Sequence, residues 1–389
     1  MKILIVNINL SMGGAEQSLV AFLNLINYDK YEIDLLLLQK DNTLLSKINS
    51  NVKIINAYEN SPYLDCSLKE NIKNCIKDKK ISYLFLTVFL SILKGLKIDI
   101  YSIRKLFPNA PKEIYPVAIA YKQGKTTGFV GNKINAKIKI TRYVHGKIKY
   151  FGISQKYYQK VYKKFDYIIT LNDTLKNLFK EKFKIDENKL KVISNTQNPQ
   201  LIIEKSNDFT VEKNTQYVFS TVGRVVPIKG FEIAIDVAEI LILNGLTDFK
   251  WYFIGGAKNE SYEFFLKKKI KEKKLENNIL FTGSLENPYP YIKASHIYLH
   301  PSLIDAMPNA IIEALTIGTP VLATKTIGAC KLIEENANGM LSEINAKDFA
   351  KKLISFLNDI DLWQEKQINF SKNNEELIKE YYKLFDDLG

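Results

Sequence analysis

Along most of this chain, stretches with the hydrophobic pattern of a buried β-strand alternate with stretches that have the period of an amphipathic α-helix. Near the N-terminus, a nearly continuous apolar run at 2–9 predicts a buried strand, the amphipathic stretch 15–26 predicts a helix, and 31–38 predicts a second strand. Strand, helix and strand in this order open a parallel sheet. Weaker strand patterns follow at 115–120, 137–144, 167–171 and 191–193, and residues 60–113 show only helical stretches rich in Lys, Leu and Ile.

The second half of the chain repeats this plan. Strand patterns alternate with helical patterns at 217–222, 230–244, 251–254, 262–274, 279–281, 290–294, 297–299, 310–315 and 320–323, and helices continue over 346–388. A polar stretch at 196–214 separates the halves and predicts a linker. The alternation predicts an α/β protein with two doubly wound sheets, in which ligands bind at the carboxyl ends of the strands.

Length and cysteine usage narrow the class of protein. A chain of 389 residues exceeds the usual size of a single hydrophobic core, which supports two domains. We find no signal peptide pattern, and the longest apolar run, 83–93, is shorter than the roughly 20 residues of a membrane span. The three cysteines have neither metal-ligand spacing nor an even number, which favours a reducing cytoplasm over a disulfide framework.

The charge is distributed unevenly. Residues 1–200 hold 33 basic and 16 acidic side chains, whereas residues 201–389 hold 22 and 26, so the net charge of +13 comes from the first half. Within it, residues 114–165 carry 12 basic side chains, no acidic one and several tyrosines. Two interpretations stay open: a solvated face, or a surface for anionic lipid or phosphate. Nucleic acid is not favoured, because no nucleic-acid-binding motif accompanies the charge.

Residues 302–320, SLIDAMPNAIIEALTIGTP, place two carboxylates around the start of a predicted helix. Pro308 and Asn309 signal the helix start, so Glu313 lies in its first turns and Asp305 in the loop before it. Free N–H groups and the positive end of the helix dipole lie between them. This combination suits a sugar nucleotide, with N–H groups for the diphosphate and carboxylates for hydroxyls. The alternative is an ordinary capped surface helix.

A second motif, GRVVPIKG at 223–230, follows a predicted strand and opens a helix. Arg224 and Lys229 are separated by a turn that contains Pro227, so both cations can point at the strand end. A guanidinium and an ammonium together match a diphosphate. The alternative is a loop with two solvated cations.

Taken in order, these motifs resemble the retaining glycosyltransferases of family 4. The resemblance rests on GGAE at 13–16, GRVVPIKG, FIGG at 253–256, the Asp305-x7-Glu313 spacing and GTPV at 318–321. It covers the C-terminal half and the first 30 residues and is loose over 40–140. It implies the GT-B fold, two Rossmann-like domains facing each other across a cleft. We expect an acceptor-binding domain at 1–200, a donor-binding domain at 201–371, and a last helix at about 372–389 that packs back on the first domain.

The same resemblance implies the roles of the site residues. Arg224 and Lys229 would bind the donor diphosphate and stabilise the departing charge, and Glu313 would hold the ribose hydroxyls. Asp305 stands where the family has a Glu that contacts the donor sugar, and His145, in TRYVHG, matches a histidine near the C6 hydroxyl of that sugar. Further donor-binding positions would supply backbone contacts or the surface against the base: Gly13, Gly14, Gly223, Leu285, Ala306, Met307, Asn309 and Ala310.

The segment around Asp305 departs from the family pattern at two positions. Asp305-Ala306 replaces Glu-Gly, so the acid is one methylene shorter, and Ala306 narrows the loop where Gly would permit a positive φ. We expect these changes to shift the choice of donor. His296 and His300 flank a predicted strand and are interpreted as structural.

The implied activity is metal-independent transfer of a hexosyl or N-acetylhexosaminyl group from a UDP- or GDP-sugar to a lipid-linked or other membrane-associated glycan acceptor. No cofactor and no metal are expected. The implied location is the cytoplasm, peripheral on the inner face of a bacterial membrane and in contact with its anionic surface. Two alternatives remain: a sugar-nucleotide epimerase of the same fold, and a catalytically weak partner subunit that only binds sugar nucleotide.

Overall fold

The computed structural model describes residues 1–11, 13–40, 42–57, 110–144, 152–257, 259–366 and 374–387, together with residues 76, 85, 368 and 370. The chain divides into two compact units. The first unit comprises residues 1–197 and 374–389, and the second comprises residues 198–373. The polar stretch 196–214 contains this boundary, but it also contains a short helix, Pro199–Lys205, that the sequence interpretation had assigned to a linker.

The first unit is built on a seven-stranded parallel sheet. Its strands are β1 (Lys2–Asn7), β2 (Glu32–Leu37), β3 (Lys53–Asn56), β4 (Ile114–Ala120), β5 (Asn135–Tyr143), β6 (Tyr167–Thr170) and β7 (Leu190–Val192), in the order β3-β2-β1-β4-β5-β6-β7. Its helices are α1 (Gly14–Leu25), α2 (Lys125–Lys133), α3 (Gly152–Tyr162), α4 (Asp173–Phe183) and, from the end of the chain, α12 (Asn374–Asp386).

The last helix completes the core of the first unit. The Tyr381 ring lies 4.8 Å from that of Phe22 on α1, and the Phe385 ring lies 5.6 Å from that of Tyr31. Both α12 aromatics are almost fully buried. The apolar face of α12 therefore covers the sheet of the first unit, although the whole second unit separates the two in sequence.

The second unit is built on a six-stranded parallel sheet. Its strands are β8 (Tyr217–Val222), β9 (Phe249–Ile254), β10 (Ile279–Gly283), β11 (Ile297–His300), β12 (Val321–Thr324) and β13 (Gly339–Ser342), in the order β10-β9-β8-β11-β12-β13. Its helices are α5 (Pro199–Lys205), α6 (Phe231–Leu243), α7 (Glu260–Glu272), α8 (Tyr289–Ala294), α9 (Asn309–Ile317), α10 (Ala346–Asn358) and α11 (Ile360–Glu365).

Both faces of the second sheet are covered. Leu299 packs into a core with Trp251 and Phe253, whereas its neighbour Tyr298 packs on the other face with Ile311 of α9. Successive residues of a strand point to opposite faces, so a sheet buried on both sides needs nearly continuous apolar strands. The predicted fold class of two doubly wound α/β domains is confirmed.

The strand and helix patterns missed β3, β13, α2, α3 and α4, in addition to the short helix α5. Strands β3 and β13 are four residues long at sheet edges and contain polar residues or glycine, so neither shows a buried-strand pattern. Helix α2 has three glycines or asparagines among its nine residues, which hides its period. The helices predicted at 60–113 lie outside the described residues, apart from positions 76, 85 and 110–113. In the described part of the chain, no helix is long and apolar enough to span a membrane.

Candidate active site

The candidate site lies where the second sheet reverses its winding. Strands β8 and β11 are neighbours in the sheet, and the chain moves away from them in opposite directions. A crevice opens at the carboxyl ends of such a strand pair, and ligands bind there in open α/β sheets. Gly223 and Arg224 follow β8 directly, and residues 301–308 lead from β11 into α9. The crevice therefore brings together two motifs that are about 80 residues apart in the chain.

Backbone contacts hold these two connections against each other. Gly230 has φ of 72°, and a Cβ at this position would lie 1.9 Å from the carbonyl oxygen of Pro301. Beside it, the Leu303 N–H donates to the Ile228 carbonyl at 2.9 Å. Only glycine combines this positive φ with such a close approach, so Gly230 determines how near the motif after β8 comes to the motif after β11.

The central contact across the crevice is an ion pair. Lys229 Nζ lies 2.6 Å from Asp305 Oδ2, and the two side chains are 22% and 13% exposed. His300 Nε2 lies 3.4 Å from the same oxygen. Burial alone would raise the pKa of the Asp305 carboxyl, but Lys229 and His300 outweigh it and hold that pKa well below its usual value. Asp305 is therefore ionised at neutral pH.

Arg224 contributes a second cation to the same strand end. Its side chain is exposed and has no hydrogen bond or ion pair to any residue that the structure describes. The Lys229 stem passes next to the preceding Gly223, where a Cβ would come 3.7 Å from Lys229 Cδ. The strand end thus presents one neutralised ammonium and one guanidinium that is available to an anion.

Helix α9 carries Glu313 in its second turn. Pro308 precedes the helix, as predicted from the sequence, and no side chain caps its N-terminus. Glu313 is only 6% exposed, and its carboxylate makes no hydrogen bond to a described residue. Burial raises the pKa of this carboxyl to about 7. A buried acceptor without a donor can accept hydrogen bonds from hydroxyl groups of a ligand.

The loop before α9 accommodates Ala306 without a positive φ. The Ala306 backbone packs closely against Gly328, where a Cβ would lie 2.7 Å from the Ala306 carbonyl carbon, so a side chain at position 328 would displace the loop. The Gly328 N–H also donates to the Asp305 carbonyl at 3.0 Å, which supports the loop from the side opposite Gly230.

The other predicted positions are distributed as follows. Met307, Asn309 and Ala310 lie at the start of α9, and Leu285 is half-buried just beyond β10. Gly13 and Gly14 lie at the N-terminus of α1 in the first unit, where a Cβ on Gly13 would be 2.4 Å from Glu16 Oε2. His145 lies outside the described residues.

His300 is a residue whose role the sequence interpretation missed. We interpreted it as structural, yet it ends β11 and contacts Asp305. The available signal was its position at the predicted strand end, five residues before Asp305. His296, by contrast, accepts a hydrogen bond at Nδ1 from the Val218 N–H, at 3.0 Å. Among the described residues, no group of three or more His, Cys, Asp or Glu side chains could hold a metal ion.

Comparison with known proteins agrees with this geometry. Residues 203–377 match the family described as glycosyl transferases group 1. An uncharacterised glycosyltransferase of Haemophilus influenzae is 28% identical over 200 residues, which are 51% of this chain and 53% of that protein. Matches to the first three relatives span 53%, 66% and 41% of their lengths.

Two further comparisons cover more of the chain. The Escherichia coli UDP-Gal:alpha-D-GlcNAc-diphosphoundecaprenol alpha-1,3-galactosyltransferase is 24% identical over 318 residues, 76% of this chain and 80% of that protein. The structure of a Staphylococcus aureus TarM mutant with Fondaparinux, alpha-GlcNAc-glycerol and UDP has a TM-score of 0.70 at 15% identity, covering 99% of this chain and 100% of that one. The fold is GT-B, as predicted.

The buried Glu313 generates a prediction about stability. Its pKa is about 7 in the folded protein and 4.5 in an unperturbed chain, so the folded state binds more protons between these values. Stability of the second unit should therefore fall as the pH rises from about 4.5 to about 7, and then level off. Glu313→Gln removes this loss and should stabilise the protein at pH 8 by up to about 3 kcal/mol, with the gain vanishing near pH 4.5.

Urea unfolding followed by tryptophan fluorescence measures this effect, because both tryptophans, Trp251 and Trp363, belong to the second unit. Glu276→Gln is the matched control, since Glu276 is exposed in the same unit. A difference in the free energy of unfolding between Glu313→Gln and the wild type that does not change with pH would contradict the raised pKa of Glu313.

Proposed function

We propose that this protein is a retaining glycosyltransferase that transfers a sugar from a UDP- or GDP-sugar to a glycan acceptor. The observation that carries the proposal is the crevice at β8 and β11. This crevice contains Arg224 and the ion pair of Lys229 with Asp305, and the buried Glu313 lies on α9, the helix that follows Asp305. The crevice lies within residues 203–377, which match the group 1 glycosyl transferases.

Each group in the crevice matches a part of a sugar nucleotide. Arg224 is free to bind diphosphate oxygens in a bidentate manner, and Lys229 supplies a point charge beside it. Ribose hydroxyls donating to Glu313 would satisfy its buried carboxylate and return its pKa toward the ordinary range. Asp305, ionised and largely enclosed, is an acceptor for hydroxyls of the donor sugar, and its shorter side chain would influence which sugar is chosen.

The transfer step is proposed to proceed without a metal. As the glycosidic bond to the diphosphate breaks, negative charge grows on the leaving oxygen, and the two cations would stabilise it in place of a divalent ion. The acceptor hydroxyl would attack the same face, losing its proton to the leaving phosphate, so that configuration is retained. The role of His145 near the donor sugar rests on the sequence match alone.

The relatives support the class of donor and acceptor. The E. coli relative is named for a UDP-galactose donor and a diphosphoundecaprenol-linked acceptor, and the TarM structure contains UDP. We therefore propose a hexosyl or N-acetylhexosaminyl transferase that acts on a lipid-linked or other surface glycan precursor at the cytoplasmic face of the membrane. Among the described residues of the crevice, no feature favours the epimerase or the non-catalytic subunit over transfer.

Replacing either cation tests the proposal. A thermal-shift panel of UDP- and GDP-sugars first identifies the donor, because a ligand that binds the folded state raises Tm. With that donor, Arg224→Ala and Lys229→Ala should each reduce transfer at least about 100-fold, since each removes a charge that stabilises the transition state. Lys268→Ala, an exposed change on α7, is the control. Turnover near the wild-type level in either cation variant would contradict the proposed roles.

Metal independence is tested in the same assay. Transfer in EDTA should stay close to that in buffer alone, because the charge on the leaving diphosphate is neutralised by side chains. Complete loss that only magnesium or manganese restores would show that the cations do not suffice.

The structure changes the interpretation of the basic run at 114–165, which is not a single surface. Arg142 is fully buried with its guanidinium 4.1 Å from the Tyr121 ring centre, and Lys122 pairs with Glu16 at 2.6 Å. Burial lowers the pKa of Lys139, which is only partly exposed. The exposed lysines among the described residues of this run are Lys137, Lys156, Lys160, Lys163 and Lys164.

These five lysines share one region of the first unit. Lys137 lies at the start of β5, and Lys163 and Lys164 lie between α3 and the start of β6, so all three are at the amino edge of the sheet. Lys156 and Lys160 are four residues apart and therefore on one face of α3. We propose that this surface contacts anionic lipid, to which each cation contributes about 1 kcal/mol within a Debye length.

Vesicle flotation tests this surface. The protein should float with phosphatidylglycerol-rich vesicles, less so as salt is added, and little with neutral vesicles. Changing Lys156, Lys160, Lys163 and Lys164 to Glu should abolish flotation. The matched control changes four exposed lysines of the second unit, Lys268, Lys271, Lys347 and Lys351, and should retain it. Equal loss in both variants, or equal flotation with neutral vesicles, would mean that the lysines form only a solvated face.

A further inference from the structure

We infer that His300 is a positioning residue, which keeps Asp305 in place when the donor diphosphate engages Lys229. The inference rests on the proposed function and concerns the same crevice. It assigns a role to a buried histidine at the end of β11, whose ring lies between Tyr298 and Asp305.

The ring of His300 is almost completely enclosed, with 2% of the residue exposed. Its Nε2 faces Asp305 Oδ2 at 3.4 Å and has no hydrogen bond of good geometry to any described residue. Its Nδ1 lies 3.5 Å from the Tyr298 hydroxyl. A buried polar atom without a complete hydrogen bond reduces the stability of the folded protein, unless a small movement of either partner completes the bond.

The Tyr298 hydroxyl connects this histidine to the other side of the crevice. It contacts both backbone polar groups of Val222, with the N–H at 3.2 Å and the carbonyl at 3.3 Å. Val222 ends β8, directly before Gly223 and Arg224. A continuous set of polar contacts thus passes from the end of β8 through Tyr298, His300 and Asp305 to Lys229.

The charges around the ring select its protonation state. Asp305 faces Nε2, Tyr298 faces Nδ1, and Lys229 lies beyond Asp305. Burial lowers the pKa of His300, so the ring carries a single proton at neutral pH. The Asp305 carboxylate favours that proton on Nε2, and Nδ1 then accepts the Tyr298 hydroxyl proton, which in this tautomer turns away from the Val222 carbonyl. In this tautomer His300 donates toward Asp305.

Lys229 has two partners in the proposed reaction, Asp305 and the diphosphate. When its ammonium turns toward the phosphates, Asp305 loses part of its charge compensation in a largely buried position. Aspartate is too short to find another partner by extending, because a single methylene separates its carboxylate from Cα. A hydrogen-bond donor next to Asp305 is therefore needed to keep the carboxylate in position for the sugar hydroxyls, and we assign that role to His300.

A pair of substitutions separates this role from simple packing. The amide nitrogen of Gln can replace Nε2, whereas that of Asn can replace only Nδ1. We expect His300→Asn to lower kcat roughly tenfold or more, the effect of losing a hydrogen bond to a charged group, and His300→Gln to recover most of that loss. Binding of UDP and GDP, measured by calorimetry, should change little in both variants, because neither touches the diphosphate.

A double substitution tests whether the effect passes through Asp305. His300→Asn combined with Asp305→Asn should be no slower than Asp305→Asn alone. If Asn and Gln at 300 are equally active, or if the two changes are additive, His300 does not position Asp305. Tryptophan fluorescence unfolding of each variant checks that the second unit is folded.

Nitrogen-15 spectra of histidine-labelled protein give a readout that needs no turnover. The chain has three histidines, and His300→Gln assigns the resonance of His300. We expect a neutral ring protonated on Nε2 whose shifts change in Asp305→Asn. A ring protonated on Nδ1, or nitrogen-15 chemical shifts of His300 that are the same in Asp305→Asn as in the wild type, would overturn the inference. If no sugar nucleotide is turned over, the proposed function fails, and the spectra still decide the His300–Asp305 contact.

Discussion

The contact between Lys229 and Asp305 joins the two halves of the candidate site, and the surrounding structure makes it possible. Lys229 follows β8 and Asp305 follows β11, so they can meet only because these strands are neighbours at the point where the sheet reverses its winding. The close approach of Gly230 to Pro301 then brings the two connections within reach of a salt bridge. A side chain at Gly230 would separate the cations from the carboxylates.

Around this pair, the second unit tolerates groups that a purely structural core would exclude. Glu313 is buried without a hydrogen-bond partner among the described residues, and His300 Nε2 stops short of its neighbour. Each arrangement costs stability in the protein without ligand. His300 ends β11 and Glu313 lies on the helix that follows it, whereas the two faces of the sheet are closely packed with aromatic and aliphatic side chains. Polar groups left without a partner beside a crevice are consistent with a site for a polar ligand.

The first unit distributes its charge differently from the sequence pattern. Basic side chains that are close in sequence between residues 114 and 165 point to the core, to an acidic partner or to solvent, because strand residues alternate between faces and helix residues rotate. Arg142 is consequently a buried residue over Tyr121, while Lys156 and Lys160 are exposed on α3. Only the exposed subset can act on a partner at a distance.

The sequence by itself determined the class of fold and pointed to the residues of the candidate site. Buried parallel strands need nearly continuous apolar runs, and the helix start at Pro308 is a local signal, so β8, β9, β11 and α9 could be predicted without tertiary information. Arg224, Lys229, Asp305 and Glu313 could be predicted because their spacing around strand ends is itself local. The tertiary structure decided which of them touch: it paired Lys229 with Asp305, left Arg224 exposed, and brought His300 to the pair. It also placed α12 in the core of the first unit. These contacts join residues far apart in the chain, and local periodicity carries no information about which strand ends become neighbours.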